Sequence, residues 1–227
     1  MKPLLVLAAF PMVLMGWASC SYSGTGHAAL PDPRAVDKSV PEYKNPFHPS
    51  TYAHFVARKD YRKTYDVYKD DTLLNRQPKK SRKIFVCLDE QRGQYLVDGL
   101  VAMDFPLSSG VKAYPTKTGD YAVISKKEDH TSNLYGKMYD AEGKCINYNA
   151  KSTDPIPEGG RFDGSPMPYW QRLTNAGLGL HVGRVRRHPV SHGCVRLPRN
   201  VAEILYRQTS IGTPVIIQKT PLPVPEA

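Results

Sequence analysis

Leu180-His181-Val182-Gly183 and, after a short basic loop, Ser191-His192-Gly193-Cys194-Val195-Arg196 hold the densest cluster of reactive side chains in this 227-residue chain. A thiol attacks carbon as its thiolate, and a nearby imidazole can both take the thiol proton and pass it to a leaving amine. Cys194 is therefore the candidate nucleophile and His181 the candidate base. Gly193 lets the backbone turn tightly, so that consecutive N–H groups of His192, Gly193 and Cys194 can converge on a developing oxyanion. Ser191 opens this turn, and His192 is read as holding it rather than moving the proton. Arg196, just past the thiol, offers a fixed cation to a substrate carboxylate. His188 precedes Pro189 in a run with Arg184, Arg186 and Arg187, a poor platform for proton transfer. A metal set of His181, His188, His192 and Cys194 lacks the paired CxxC or HExxH spacing of a zinc site, so no metal or other cofactor is expected.

The chain around this cluster reads as strands and turns. Gly179–Val182 is a strand, Arg199–Gln208 a short helix with Val201, Ile204 and Leu205 apolar, and Val215–Gln218 a closing strand. Upstream, Ile84–Leu88 is a strand, Gln91-Arg92-Gly93 a turn and Gln94–Val97 a second strand. Asp98-Gly99 then gives a hairpin signal before Leu100–Phe105, so three strands form a meander. Asp120–Ser125 is a further strand candidate. Thr153–Met167 reads as a loop because Pro155, Pro157, Gly159, Gly160, Gly164 and Pro166 crowd it. Met167, Tyr169 and Trp170 at its end are candidate substrate contacts, on a lid over a cleft or in ordinary packing. Gly 17 and Pro 20 suit loops and tight turns, and argue against a helical bundle.

The N-terminal part has a different character. Met1-Lys2, the apolar run Pro3–Trp17 and then Ala18-Ser19-Cys20 form a signal-peptide layout over residues 1–20, too short and proline-broken for a membrane span. Cys20 is a candidate lipidation site; the rival is ordinary cleavage near Ala28 or Ala29. Either route implies export to the periplasm or cell envelope. Residues 21–49 read as a proline-rich linker and 50–81 as a tyrosine- and charge-rich extension, with Tyr61, Tyr65 and Tyr68 at helical spacing. Lys79, Lys80, Arg82 and Lys83 form a basic run, read as a solvated face. A net charge of +10 favours an anionic partner. For an exported chain that partner is wall polymer or lipid, and no nucleic acid is expected. Cys87 reads as a small buried hydrophobe, with a Cys87–Cys145 bridge as the alternative.

Histidine ahead of cysteine is the reverse of the papain order. Ser191-His192-Gly193-Cys194-Val195-Arg196, with His181 upstream, resembles the signature of the L,D-transpeptidase catalytic domain, also called the YkuD-type domain. Ile84–Gln91, Leu96–Gly99, Ser108-Ser109-Gly110, Pro115–Gly119 and Gly212–Val215 are similar to that family as well. The likeness covers about residues 82–219 and leaves 220–227 as a tail. It implies a mostly β fold, a partly closed mixed β-sheet sandwich or barrel with a few short helices. It also implies acyl transfer on peptidoglycan stem peptides: Cys194 forms a thioester with loss of D-alanine, and the acyl group passes to an amine. His181 would be the base, its ring oriented by a backbone carbonyl near Val182, and carbapenem-type inhibitors are expected to acylate Cys194. A hydrolase on the same fold and a non-catalytic, basic cell-wall-binding lipoprotein are the two alternatives. The activated thiol speaks against the second. The interval between His181 and Ser191 is short and unusually basic for the family.

Overall fold

A computed structural model of the chain describes residues 31–79 and 81–222. The signal peptide, Cys20, the cleavage site near Ala28, Lys80 and the end of the tail lie outside the described residues. In chain order the elements begin with α1 (Tyr52–Ala57), β1 (Tyr68–Lys69), α2 (Asp71–Asn75), β2 (Arg82–Cys87), β3 (Arg92–Val97) and β4 (Leu100–Pro106). Next come β5 (Gly119–Ala122), β6 (Ser125–Lys127), β7 (Thr131–Tyr139), β8 (Cys145–Lys151), β9 (Arg161–Pro166) and β10 (Trp170–Arg172). The series ends with β11 (Gly179–Val182), β12 (Val195–Leu197), α3 (Arg199–Gln208) and β13 (Pro214–Gln218). The fold is mostly β, with mixed sheets and three short helices among the described residues. None of those helices is long and apolar enough to cross a membrane.

A six-stranded sheet in the order β1-β4-β3-β2-β13-β5 contains the expected meander. Its hairpin turns at Asp98 and Gly99, whose φ values of 52° and 84° suit a turn that needs positive φ. A four-stranded sheet, β12-β11-β10-β6, meets it at two corners. At one, Ser108 beyond β4 bridges to Arg196 of β12; at the other, Ile124 after β5 donates to Arg172 of β10. Between the sheets lies a single core that includes Ile84, Val86, Phe105, Leu180, Val195, Leu197 and Ile217. Helix α3 closes it with Val201, Ala202 and Leu205. Cys87 is buried and free, and Cys145 is also free, so the alternative of a bridge is overturned. The two cysteines lie in different sheets, Cys87 on β2 and Cys145 on β8.

Three sequence expectations are corrected here. Tyr61, Tyr65 and Tyr68 share no helix: α1 stops at Ala57, and Tyr68 is in β1. Thr153–Met167 is not all loop, because β9 occupies Arg161–Pro166 and pairs with β7. Arg92 and Gly93 belong to β3, so the turn before it spans residues 88–91 and ends on Gln91, whose φ is 49°.

Residues 32–49 have no regular structure, as their prolines dictate, but they are stitched to α1 and the domain. Lys38 Nζ donates to Val56 O at 2.7 Å, Tyr43 Oη to Ala57 O at 2.8 Å, and Arg34 pairs with Glu90 at 2.7 Å. Beneath this strap is the buried ion pair Arg92–Asp104, at 2.6 Å with both side chains fully buried. Asp104 Oδ2 also accepts from Tyr52 Oη at 2.7 Å and Tyr61 Oη at 2.8 Å, while Arg92 donates to Thr64 O and Asp66 O. The carboxylate and guanidinium are thereby satisfied on several sides, the condition for tolerating buried charge. Asp104→Ala leaves Arg92 buried and unpaired, and is expected to cost about 3–5 kcal/mol in urea unfolding. Arg207→Ala, which breaks the exposed pair with Glu203 on α3, should cost under about 0.5 kcal/mol in the same assay.

Candidate active site

β11 and β12 run parallel with Leu180 opposite Val195, His181 opposite Arg196 and Val182 opposite Leu197. Side chains alternate along a strand, so Leu180, Val195 and Leu197 enter the core while His181 and Arg196 share the other face. Cys194, two residues before Arg196, opens onto the same side. Pleat and register thus deliver thiol, imidazole and guanidinium into one cleft of about 1180 Å³. The three-stranded sheet β8-β7-β9 supplies another wall through Tyr135, Lys137, Tyr148 and Ser165.

The turn before Cys194 is pinned by a segment remote in sequence. Ser108 N–H donates to Arg196 O at 3.1 Å, and Arg196 N–H returns a bond to Ser108 O at 2.8 Å. Val190 and Ser191 N–H both donate to Ser109 O, at 2.8 and 3.0 Å. Thr116 Oγ1 accepts from Gly110 N–H at 2.8 Å and donates to Gly193 O at 2.6 Å. Gly193 has φ 112°, a conformation that side chains resist. Gly110 must also be glycine, since a Cβ there would meet Tyr114 O at 2.1 Å and Gly193 Cα at 2.8 Å.

His181 Nδ1 lies 2.7 Å from Val182 O, which fixes the proton on Nδ1 and leaves a lone pair on Nε2. Burial lowers its pKa to about 4 against the opposing pull of that carbonyl, with Arg196 and His130 adding to the drop. Cys194 Sγ donates to Gly177 O at 3.3 Å. Burial raises the thiol pKa, while the backbone of Gly179 and the charge of Arg196 oppose the rise. At neutral pH the resting pair is therefore thiol and neutral imidazole. Arg196 belongs to no ion pair among the described residues, and burial lowers its pKa.

Other expected residues fall in different places. Gly193 N–H is already taken by Ser191 Oγ at 3.2 Å, which removes it from the expected oxyanion trio and leaves the N–H groups of His192 and Cys194. Ser191 Oγ in turn donates to Cys194 O, closing the turn on itself. The His192 ring stacks on Tyr135 at 4.3 Å and tilts against Tyr114 at 4.8 Å. Met167 and Trp170 line the cleft; Tyr169 does not. Its ring packs against Tyr206 at 5.6 Å with Arg199 above it, both on α3, so the expected substrate contact is corrected to a packing residue. Residues 164–166 lie in β9 and Trp170 opens β10, so residues 167–169 form a corner between two strands rather than a free loop. His188 is exposed outside the cleft. Of the basic run only Arg184 lines the cleft, because Arg187 turns away to Thr64 O at 2.7 Å and Glu90 O at 2.9 Å. No cluster of three or more metal-ligating side chains exists among the described residues. Thr116, Tyr114, Tyr135 and His130 were not foreseen in these positions; only the glycine-proline bracket around Thr116 hinted at one of them.

A thiol, a neutral imidazole with its lone pair free, backbone donors and an unpaired cation on a β scaffold are the parts of a cysteine acyl-transfer site. The chain matches the family model of the L,D-transpeptidase catalytic domain over residues 81–217, and it belongs to that family. Over 121 residues it is 32% identical to the probable L,D-transpeptidase 3 of Mycobacterium tuberculosis, a match covering 50% of this chain and 38% of that protein. Similar solved structures include an L,D-transpeptidase from Mycobacterium smegmatis, at 22% identity and TM-score 0.47, covering 61% of this chain and 58% of that one. Another is L,D-transpeptidase 3 of Mycobacterium tuberculosis in complex with a faropenem-derived adduct, at 25% identity and TM-score 0.46, covering 61% and 60%. The chain thus spans less than two thirds of the length of these relatives.

Thr116→Val removes both bonds of the Thr116 hydroxyl while keeping the side chain's shape. It is expected to slow covalent labelling of Cys194 by a carbapenem more than tenfold, while unfolding free energy falls by only about 1–3 kcal/mol. Thr116→Ser should restore labelling, as followed by intact-mass spectrometry.

Proposed function

We propose that this protein is an exported L,D-transpeptidase of the cell envelope that cleaves a peptidoglycan tetrapeptide stem before its terminal D-alanine and transfers the acyl group to an amine. The observation that carries this reading is the placement of Cys194, His181 and Arg196 on one cleft-facing side of β11 and β12, within a domain of the L,D-transpeptidase family. Cys194 Sγ attacks the carbonyl carbon of the third stem residue, and His181 Nε2 takes the thiol proton as the S–C bond forms. Because burial keeps the thiol protonated and the imidazole neutral, proton transfer and attack are coupled instead of starting from a standing ion pair. The oxyanion is met by the N–H groups of His192 and Cys194. Collapse of the intermediate breaks the C–N bond, and His181 returns the proton to the departing D-alanine amine. An acceptor amine then attacks the thioester and frees the thiol. Arg196 holds a substrate carboxylate, and Met167 and Trp170 pack on the stem. Residues 1–20 direct export, with Cys20 as the lipid anchor or cleavage near Ala28 as the other route; loss of membrane association in Cys20→Ala separates the two.

Incubation of the protein with disaccharide-tetrapeptide tests the reading by product mass. Cross-linked dimers with release of D-alanine are expected; tripeptide alone means a hydrolase, and unchanged substrate means a wall-binding module. Cys194→Ala should abolish turnover and carbapenem labelling together. His181→Ala should slow single-turnover acylation by about 10²–10⁴-fold, the usual cost of losing a general base, whereas His188→Ala should leave it unchanged.

The pH dependence has a definite sign. His181 is depressed to about 4, so its base form persists through mildly acidic pH and is lost only as pH falls through that value. Stopped-flow acylation by a carbapenem should therefore stay level between pH 8 and pH 5 and decline below, with an acid limb near 4. A limb centred near about 6.5, the ordinary imidazole value, would contradict the buried base.

A further inference from the structure

Arg187 stands in the middle of the crossover from β11 to β12, outside the cleft, in a conformation that is locally costly. Its φ is 56°, in the left-handed region that a residue with a Cβ resists and that glycine would enter freely. Its Nε is buried without a hydrogen-bond partner, and burial followed by the charge of Arg92 lowers its pKa. Local preference alone would not put an arginine here. What offsets these costs is a grip on backbone far away in sequence: Nη1 donates to Thr64 O at 2.7 Å and Nη2 to Glu90 O at 2.9 Å, two charge-assisted bonds from one rigid fork. The adjoining residue is tied at the same place. Tyr65 Oη donates to Arg186 O at 3.2 Å, and Arg186 N–H donates to Ser108 Oγ at 2.8 Å. Strain held at one residue by its surroundings points to a task for that residue.

The two carbonyls differ in origin. Glu90 lies in the turn before β3, within the L,D-transpeptidase domain, but Thr64 precedes residue 81, where the match to that family begins. Thr64 is itself held: its N–H donates to Asp60 O at 2.7 Å, and its carbonyl also accepts from Arg92 Nη1 at 3.1 Å, the guanidinium paired with Asp104. A continuous run of bonds thus leads from Asp104 and Arg92 through Thr64 O and Arg187 into the loop that ends at Cys194. No helix or strand intervenes between Arg187 and β12 to take up a shift. Were the loop tied only by Gly183 N–H to Leu197 O and by Val190 and Ser191 N–H to Ser109 O, its middle would be free to bow. A displacement of about 1 Å at a reacting atom can cost about 10²-fold in rate. We propose that Arg187 is a positioning residue for acylation, through which residues 60–66, outside the catalytic domain, set the placement of the Cys194 thiol. The proposal rests on the reading of Cys194 as nucleophile.

The experiment follows single-turnover acylation of the full chain by a carbapenem over a range of concentrations, which separates the limiting rate from half-saturation. Arg187→Gly removes the fork and, at φ 56°, also relieves the backbone, so its thermal transition should stay near that of the parent. Its limiting rate should nevertheless fall by about 10–100-fold, the scale set by a misplaced reacting group, with half-saturation little changed. Arg187→Lys, whose ammonium can reach one of the two carbonyls, should recover part of the rate. Tyr65→Phe alters an exposed side chain, and should slow acylation in the same direction by less. A parent rate in Arg187→Gly would overturn the proposal. So would a loss that comes only with a lowered thermal transition and that lysine does not restore, the mark of a packing role alone. If the parent itself is not acylated, the reading of Cys194 has failed, and the brace is tested by hydrogen exchange at the Val190 and Ser191 amides. Faster exchange in Arg187→Gly upholds the brace, and unchanged exchange overturns it.

Discussion

The parallel pairing of β11 with β12 is the constraint on which the rest of this protein depends. A slip of one residue in either strand would send His181 or Arg196 into the core and Leu180 or Val195 into the cleft, so the hydrophobic pattern enforces the catalytic-looking one. Parallel neighbours cannot be joined by a tight hairpin, and the segment from Gly183 to Cys194 makes the crossover without a helix. Such a loop must be fixed from outside. Ser108, Ser109, Gly110 and Thr116 fix its far end, and Arg187, gripping Thr64 O and Glu90 O, fixes its middle against the segment after α1 and the turn between β2 and β3.

The charged groups divide into two populations. Arg92 and Asp104 are fully buried, mutually paired and saturated by tyrosine hydroxyls and backbone carbonyls, and they hold residues 52–66 on the domain. In the cleft, by contrast, cations have no acidic partner among the described residues and the buried imidazole of His181 is kept neutral. Paired buried charge fixes geometry, and unpaired cleft charge is kept available for a ligand.

The strands that carry the core were legible because each has a buried side and a clear turn at its end. Gly179–Val182 and Arg199–Gln208 appear with the bounds read from sequence, and Asp98-Gly99 makes the expected hairpin. The β7-β8-β9 sheet was not legible for the opposite reason. β8 and β9 are largely exposed and rich in Asn, Lys, Ser and Gly, so no apolar alternation marks them. The tyrosine spacing in residues 61–68 imitated a helix by coincidence: Tyr61 is buried for its bond to Asp104, while Tyr65 is exposed. Cys194 and His181 stood out by residue type and order, but the grip of Thr116 on Gly193 spans 77 residues, and local pattern carries no trace of a contact that distant.

Strand β13 lies inside the six-stranded sheet, parallel to β2 on one side and antiparallel to β5 on the other. The last strand among the described residues is thus neither an edge nor an addition; it joins β5 to the meander. β2, β3 and β4 are close in sequence and can pair early, but β5 has no neighbour in its sheet until residues 214–218 are in place. Loop-closure entropy makes so distant a pairing slow. The larger sheet therefore closes last, and the end of the domain, not its beginning, decides when β5 is held.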